Sequence, residues 1–214
     1  MQNDTKPLPG QRGPAEHKMR ERVVASAHAL FSSKGFAATS VAEIAADLQV
    51  APTYLYKFFQ SKTAIGEAVC TSMLSAVDEA LWQVARGRLR PVDKVANLFR
   101  VILKESVGMF FAERKLHDMV ARALEEDWPA VATHVQQIRE VIGHILDEGM
   151  QAGAFDPQLD RAETVEAVFW ALLPFAHPRL LEQSVHWDLD AHARIMGRFC
   201  ARALARRNDD AVTN

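Results

Sequence analysis

The feature that most constrains this chain is the 24-residue run from Thr39 to Lys62, TSVAEIAADLQVAPTYLYKFFQSK. It holds two helix starts too close together for two ordinary helices. Ser40 followed by Glu43 fits a capping box, in which each side chain satisfies a free backbone N–H of the first turn. Behind it, Val41, Ile44, Ala45 and Leu48 recur at helical spacing and form one apolar stripe. Gln49 and Val50 fall between patterns, and Pro52 stands where a first helical residue tolerates the loss of its N–H. The spacing predicts a second, short helix from Pro52 to Phe58 or Phe59, with Leu55 and Phe59 packed back on Val41, Ile44 and Leu48. Its outer face then carries Thr53, Tyr54 and Lys57. A short helix held by its back, with mixed donors on its front, is what reading the major groove requires. The plainer reading of the same pattern is a helical hairpin with a solvated outer face.

Residues 39–62 resemble the DNA-binding signature of TetR-family transcriptional regulators, approximately T-V-x-x-I-A-x-x-A-G-V-S-x-G-x-L-Y-x-H/Y-F-x-S-K. Thr39, Val41, Ile44, Ala45, Val50, Leu55, Tyr56, Phe59, Ser61 and Lys62 fall in register with it. Three positions depart: Gln49 replaces the turn glycine, Ala51 the serine cap and Thr53 the second glycine. Gln49 requires either a turn geometry that a non-glycine residue tolerates or some strain, and losing the cap costs about 1 kcal/mol. The resemblance implies an all-α protein, with an N-terminal three-helix helix-turn-helix head and a larger helical ligand-binding and dimerisation domain. It further implies a homodimer on a double-stranded DNA operator, with two half-sites about 34–36 Å apart. A small-molecule effector that releases a repressor from that operator belongs to the same expectation. Thr53, Tyr54 and Lys57 would face base edges and nearby phosphates, while Thr39, Ser40, Tyr56 and Lys62 would hold the backbone.

Charge is distributed as such a protein requires. Residues 1–62 carry 8 Lys and Arg against 5 Asp and Glu, and residues 63–214 carry 17 against 22. A mildly basic head on an acidic body suits contact with DNA at one end. Cys70 and Cys200 sit on apolar helix faces and read as small buried hydrophobes, which fits a reducing cytoplasm. No apolar run reaches the ~18 residues of a membrane helix, and the first residues show no signal-peptide pattern.

In chain order the expected units are a disordered arm over 1–14, a DNA-binding head over 15–62 with its helix-turn-helix at about 40–59, a regulatory domain over 63–207 and a tail over 208–214. The arm carries Lys6 and Arg12 within reach of a phosphate backbone. A first helix is expected over Glu16 to Ser33, stopped by Gly35. Ser61 caps a long helix to about Ala85, and Lys62 in its first turn suits a phosphate clamp. RGRLR at 86–90 reads as a solvated loop. Helices follow from Pro91 to Phe111, Glu113 to Glu125, about Val131 to Gln151, about 160–175 and Asp188 to Arg207, with Pro174 and His177-Pro178 bending or ending the one at about 160–175. No strand pattern and no repeat is evident.

The sequence offers no catalytic constellation and no cofactor motif. No two histidines stand three or four apart, as a helical metal pair requires, and no phosphate-cradling glycine loop is present. Glu140, His144 and Glu148 share a helix face, and Glu113 and His117 repeat the spacing; both read as solvated faces. The competing readings are a small all-α binding protein or enzyme, and a DNA-binding dimer without an effector. The resemblance places a ligand pocket among the central helices, with Met73, Trp82, Phe110, Met119, Trp128 and Trp170 as candidate liners, though residues of these types are more often simply core. It also pairs the last two helices across a dimer, with Phe169, Leu172, Met196 and Phe199 as candidate contacts.

Overall fold

A computed structural model describes residues 14–206; the expected arm up to residue 13, with Lys6 and Arg12, and the tail lie outside them, while Pro14 already belongs to the first helix. Ten helices are present among the described residues: α1 Pro14–Lys34, α2 Val41–Asp47, α3 Pro52–Leu55, α4 Lys62–Arg86, α5 Pro91–Ala112, α6 Arg114–Glu125, α7 Pro129–Gln151, α8 Arg161–Ala176, α9 Pro178–Ser184 and α10 Leu189–Leu204. The all-helical expectation holds. The nearest approach to a strand is an isolated bridge between Phe155 and Ala205, which ties the α7–α8 loop to the end of α10.

Local chemistry sets the starts. Ser61 Oγ accepts from the Ala64 N–H at 3.0 Å, Asp160 from Glu163 at 2.8 Å and Asp188 from Ala191 at 2.9 Å. Five helices, α1, α3, α5, α7 and α9, open instead on proline, whose fixed φ suits the first position. Pro174 lies inside α8 rather than ending it, and the helix continues to Ala176 before His177-Pro178 starts the short α9.

The buried side chains form two cores, and α4 belongs to both. Its first half gives Ile65, Val69, Cys70, Met73 and Leu74 to a core shared with α1, α2, α3 and α6. Its second half gives Val77, Leu81, Val84 and Ala85 to a core shared with α5, α7, α8 and α10. The division expected at residue 62 therefore does not coincide with a gap in packing. Leu116, Met119 and Val120 from α6 and Trp128 from the α6–α7 turn fill the floor under α1 and α2. A Cβ on Gly66 would stand 2.6 Å from the Phe36 ring and 2.9 Å from Trp128, so only glycine admits both aromatics against α4. At the far end α10 lies close along α5, where a Cβ on Gly197 would stand 2.8 Å from Ala96 O.

One lysine is buried within this frame. Lys94 Nζ donates to Ala85 O at 2.8 Å and to Glu148 Oε2 at 2.5 Å, joining the end of α4, the start of α5 and α7. Glu148 thus has a structural partner, Glu140 accepts from Gln136 and Gln137, and His144 lies edge-on to Trp82.

Candidate nucleic-acid interface and ligand cavity

α2 carries the capping box that its sequence predicts. Ser40 Oγ accepts from the Glu43 N–H at 3.2 Å, and Glu43 Oε2 accepts from the Ser40 N–H at 2.8 Å. Lys34 Nζ stands 2.7 Å from Glu43 Oε1. These donors hold the Glu43 carboxyl down to about 2, with the Lys34 bond the largest cause. Ser26 donates to Asp47 at 2.6 Å, so both ends of α2 are fastened to α1.

The turn that follows depends on Gln49, which adopts φ 57°. This is the left-handed conformation that glycine takes without strain, and it explains why the position tolerates a substitute only at some cost. Val50 N–H returns to Ala45 O at 2.9 Å and closes the turn. Ala51, at the next cap, makes no side-chain bond.

α3 is shorter than expected, four residues instead of seven or eight. Beyond Leu55 the N–H groups of Lys57 and Phe58 return to carbonyls three residues back, at 3.2 and 2.9 Å. This tightened end turns Phe59 into the core, where the Arg20 guanidinium lies 4.1 Å from its ring centre. Arg20 also donates to Phe58 O and fixes the end of the segment to α1.

The outer face is as the sequence places it. Thr53 and Lys57 are exposed, Tyr56 is 52% exposed, and Tyr54 is half-buried. The Tyr54 ring meets Phe58 edge-on at 5.2 Å, and Lys57 Nζ lies 5.4 Å from its centre. Its phenol is thereby held at a fixed angle to the helix.

Two residues expected at the backbone have other engagements. Thr39 is 1% exposed and its hydroxyl donates to Gly35 O at 2.9 Å, so the side chain closes the α1–α2 turn from inside. Lys62 is half-buried, with Nζ donating to Ala37 O at 3.1 Å and standing 4.7 Å from the Phe36 ring centre. Burial, with the nearby Arg122 guanidinium, lowers its pKa.

An apolar cavity of about 120 Å³ lies where α4 passes from one core to the other. Leu74 and Val77 of α4 line it, facing Ile102 of α5, Ile138 of α7, Phe169 of α8 and Leu181 of α9. Ser106, His117, His134 and His177 bring the polar side chains. His134 Nδ1 stands 2.6 Å from Asp78 Oδ1 on α4. His117 of α6 is buried, with Phe110 of α5 edge-on to its ring; desolvation, with Arg114 adding to it, lowers its pKa.

None of the six expected liners reaches this cavity. Met73, Met119 and Trp128 belong to the core beneath the head. Trp82 stands on the outer side of the α4–α7 pair, donating to Gln137 at 2.9 Å. Phe110 sits one layer back, edge-on to His117 at 5.0 Å. Trp170 is 64% exposed. The sequence reading put His117 on a solvated face and overlooked His134 and His177. The signal was present in the stripe His117, Val120 and Leu124, spaced by three and four.

Of the expected dimer contacts, Phe169 and Leu172 are buried within the chain's own core, and Arg139 covers the Phe169 ring at 4.0 Å. Met196 is half-buried and Phe199 is 65% exposed. With exposed Trp170 and Ile195 they leave an apolar surface on α8 and α10. Both cysteines are buried, and burial raises the Cys70 thiol to about 12. No helix among the described residues is long and apolar enough to cross a membrane.

Comparison with known proteins gives these two regions a common source. Residues 23–69 match the family described as bacterial regulatory proteins, tetR family, and residues 91–208 match the tetracyclin repressor-like C-terminal domain. The HTH-type transcriptional repressor KstR2 of Mycolicibacterium smegmatis is 27% identical over 143 residues, 66% of this chain and 69% of that protein. A TetR-family transcriptional regulator from Pectobacterium atrosepticum superposes with a TM-score of 0.68 at 17% identity, covering 92% of this chain and 99% of that one. FadR from Bacillus subtilis, solved in complex with stearoyl-CoA, superposes with a TM-score of 0.63 at 15% identity, over 86% and 98% of the two chains.

Proposed function

The chain belongs to the TetR family of bacterial transcriptional regulators, and from that premise we propose a dimeric repressor released from its operator by a ligand that enters the cavity around α4. It is a DNA-binding regulator, and regulators of this family are in general not enzymes.

The observation that carries the proposal is the double membership of α4. Leu74 lies in the head's core and also lines the cavity, and Val77, one turn on, lies in the body's core and lines it too. A ligand that favours one packing of those side chains over another biases the orientation of the head by its difference in affinity for the two states. A neighbour of this architecture holds stearoyl-CoA, which supports a ligand-responsive body over a body that serves only for dimerisation.

At the DNA, Thr53, Tyr54 and Lys57 are the residues for base edges and adjacent phosphates. Tyr56 and the capped start of α2 at Ser40 approach the backbone. Thr39 and Lys62 act at one remove, by fixing the loop at Ala37 between them. Two such heads need a two-fold partner, for which the surface of Trp170, Ile195, Met196 and Phe199 is the candidate. Phe169 and Leu172 support it from within.

The test is titration of the purified protein into labelled DNA from upstream of its own coding sequence, at two salt concentrations, with unrelated DNA as competitor. Saturable binding that withstands competitor and protects two half-sites is expected. Affinity no greater than for unrelated DNA overturns this assignment.

A further inference from the structure

Among the described residues the cavity wall is apolar except at four side chains, Ser106, His117, His134 and His177, and includes no Lys, Arg, Asp or Glu. His134 is engaged by Asp78. His117 is different: it is 2% exposed, and among the described residues neither of its ring nitrogens has a hydrogen-bond partner. Asp118 Oδ1 stands 3.9 Å from Nδ1, beyond hydrogen-bond reach. Nδ1 of His177, on the same wall, is likewise buried and without a partner. Buried polar atoms are nearly always paired, so unpaired ones on a cavity wall call for an explanation.

We propose that the cavity binds an uncharged, mostly apolar molecule about the size of a single six-membered ring, whose hydroxyl or carbonyl group hydrogen-bonds to His117, with His177 as a second partner. This rests on the ligand-responsive reading above and specifies the ligand's chemistry. Size follows from volume: a cavity of roughly 150 Å³ holds benzene, and this one measures about 120 Å³. Charge follows from the wall, because a carboxylate or phosphate taken inside would shed its hydration with no lysine or arginine to meet it. The charges around His117 are Arg114 and Asp118 on α6 and Arg179 and Glu182 on α9, and they are already paired with one another.

The imidazole itself sets the hydrogen-bonding requirement. Burial favours its neutral form, which offers one N–H and one lone pair. A hydroxyl matches both, since it donates and accepts. Phe110, edge-on at 5.0 Å, supports the ring and fixes its direction.

Three probes separate the components: phenol, benzene and benzoate, each titrated calorimetrically into the full-length protein and then into its complex with operator DNA. The expected result is that phenol binds at least tenfold more tightly than either of the others. His117→Leu should bring phenol to within about twofold of benzene while benzene affinity is kept. His117→Gln, which retains a donor and an acceptor, should recover part of the preference and show that the loss is not misfolding. Equal affinity for the phenol and the hydrocarbon, a preference for the benzoate, or no binding by any probe at millimolar concentration overturns the inference. Release of DNA is read separately. Hydrocarbon and phenol releasing it equally would overturn the hydroxyl specificity and leave the regulator intact. Selective phenol binding without release would do the reverse.

Discussion

His134 Nδ1 stands 2.6 Å from Asp78 Oδ1, and the pair joins the cavity wall on α7 to the middle of α4. Both side chains are largely buried, where removing one partner of such a pair is costly. The link gives a cavity occupant a polar route to the helix that carries the head, beside the apolar route through Leu74 and Val77. Asp78→Asn should leave operator affinity in the absence of ligand close to the original. It should reduce the ligand-driven change in that affinity by about 1 kcal/mol, roughly fivefold. Operator binding measured with and without a saturating cavity ligand decides this, and an unchanged ratio removes the pair from the coupling.

Gln49 holds the helix-turn-helix turn at φ 57°. Gln49→Gly relieves the steric cost of that conformation and should stabilise the protein by roughly 0.5–1 kcal/mol. Urea unfolding is the measurement; a lower midpoint for the glycine variant would show that the glutamine side chain contributes something its backbone conformation does not reveal.

The two lysines of the head should behave differently. Lys57 projects from the exposed face of α3, and Lys57→Ala should weaken binding to all sequences and reduce the salt slope by about 1. Lys62 already donates to Ala37 O, so Lys62→Met should cost affinity through the loop while changing the salt slope by less. Tyr54→Ala should shift sequence preference instead. A salt slope that falls more for Lys62 than for Lys57 would reverse these roles.

The capping box should be legible in acid. The Glu43 carboxyl is lowered from 4.5 to about 2 in the folded chain. Its contribution is therefore complete above the unfolded pKa near 4.5 and is lost as pH falls toward 2. Glu126, Asp147, Glu166 and Glu182, lowered chiefly by arginine partners, act with the same sign. Glu43→Gln should make the urea midpoint less dependent on pH between 5 and 2; identical pH profiles would mean that Glu43 gains as much in the unfolded chain.

Phe199 of α10 is largely exposed. Phe199→Glu should shift the sedimentation coefficient from dimer toward monomer and abolish cooperative protection of two half-sites. A dimer that survives this change uses another surface.

The helix-turn-helix was readable because each of its parts is a local rule: a cap three residues from its partner, a stripe at helical period, a proline at a first position. Ser40, Glu43, Pro52 and Leu55 behave accordingly. The length of α3 was not readable, because the tightened turn after Leu55 answers to Phe59 and Arg20, 39 positions apart in sequence. The cavity was not readable for a related reason. Large soft side chains such as Met73, Met119 and Trp128 suggested its lining, yet their size is used to fill the head's core. The wall falls to branched aliphatics and histidines, which periodicity cannot tell from ordinary core and surface. Phe169 and Trp170 show the same difficulty between adjacent residues, one facing in and the other out.

Trp128 closes the underside of the head, meeting Phe36 edge-on at 5.5 Å and lying against Gly66. That indole comes from a turn more than 90 residues beyond Phe31 and Phe36 and lies outside the stretch that matches the tetR DNA-binding family. Any attempt to recombine this head with the sensor of another regulator, cutting where the sequence families divide, would leave an unfilled socket beneath α1. A working hybrid must carry α6 and Trp128 along with the head, so the exchangeable part of this protein is discontinuous in its gene.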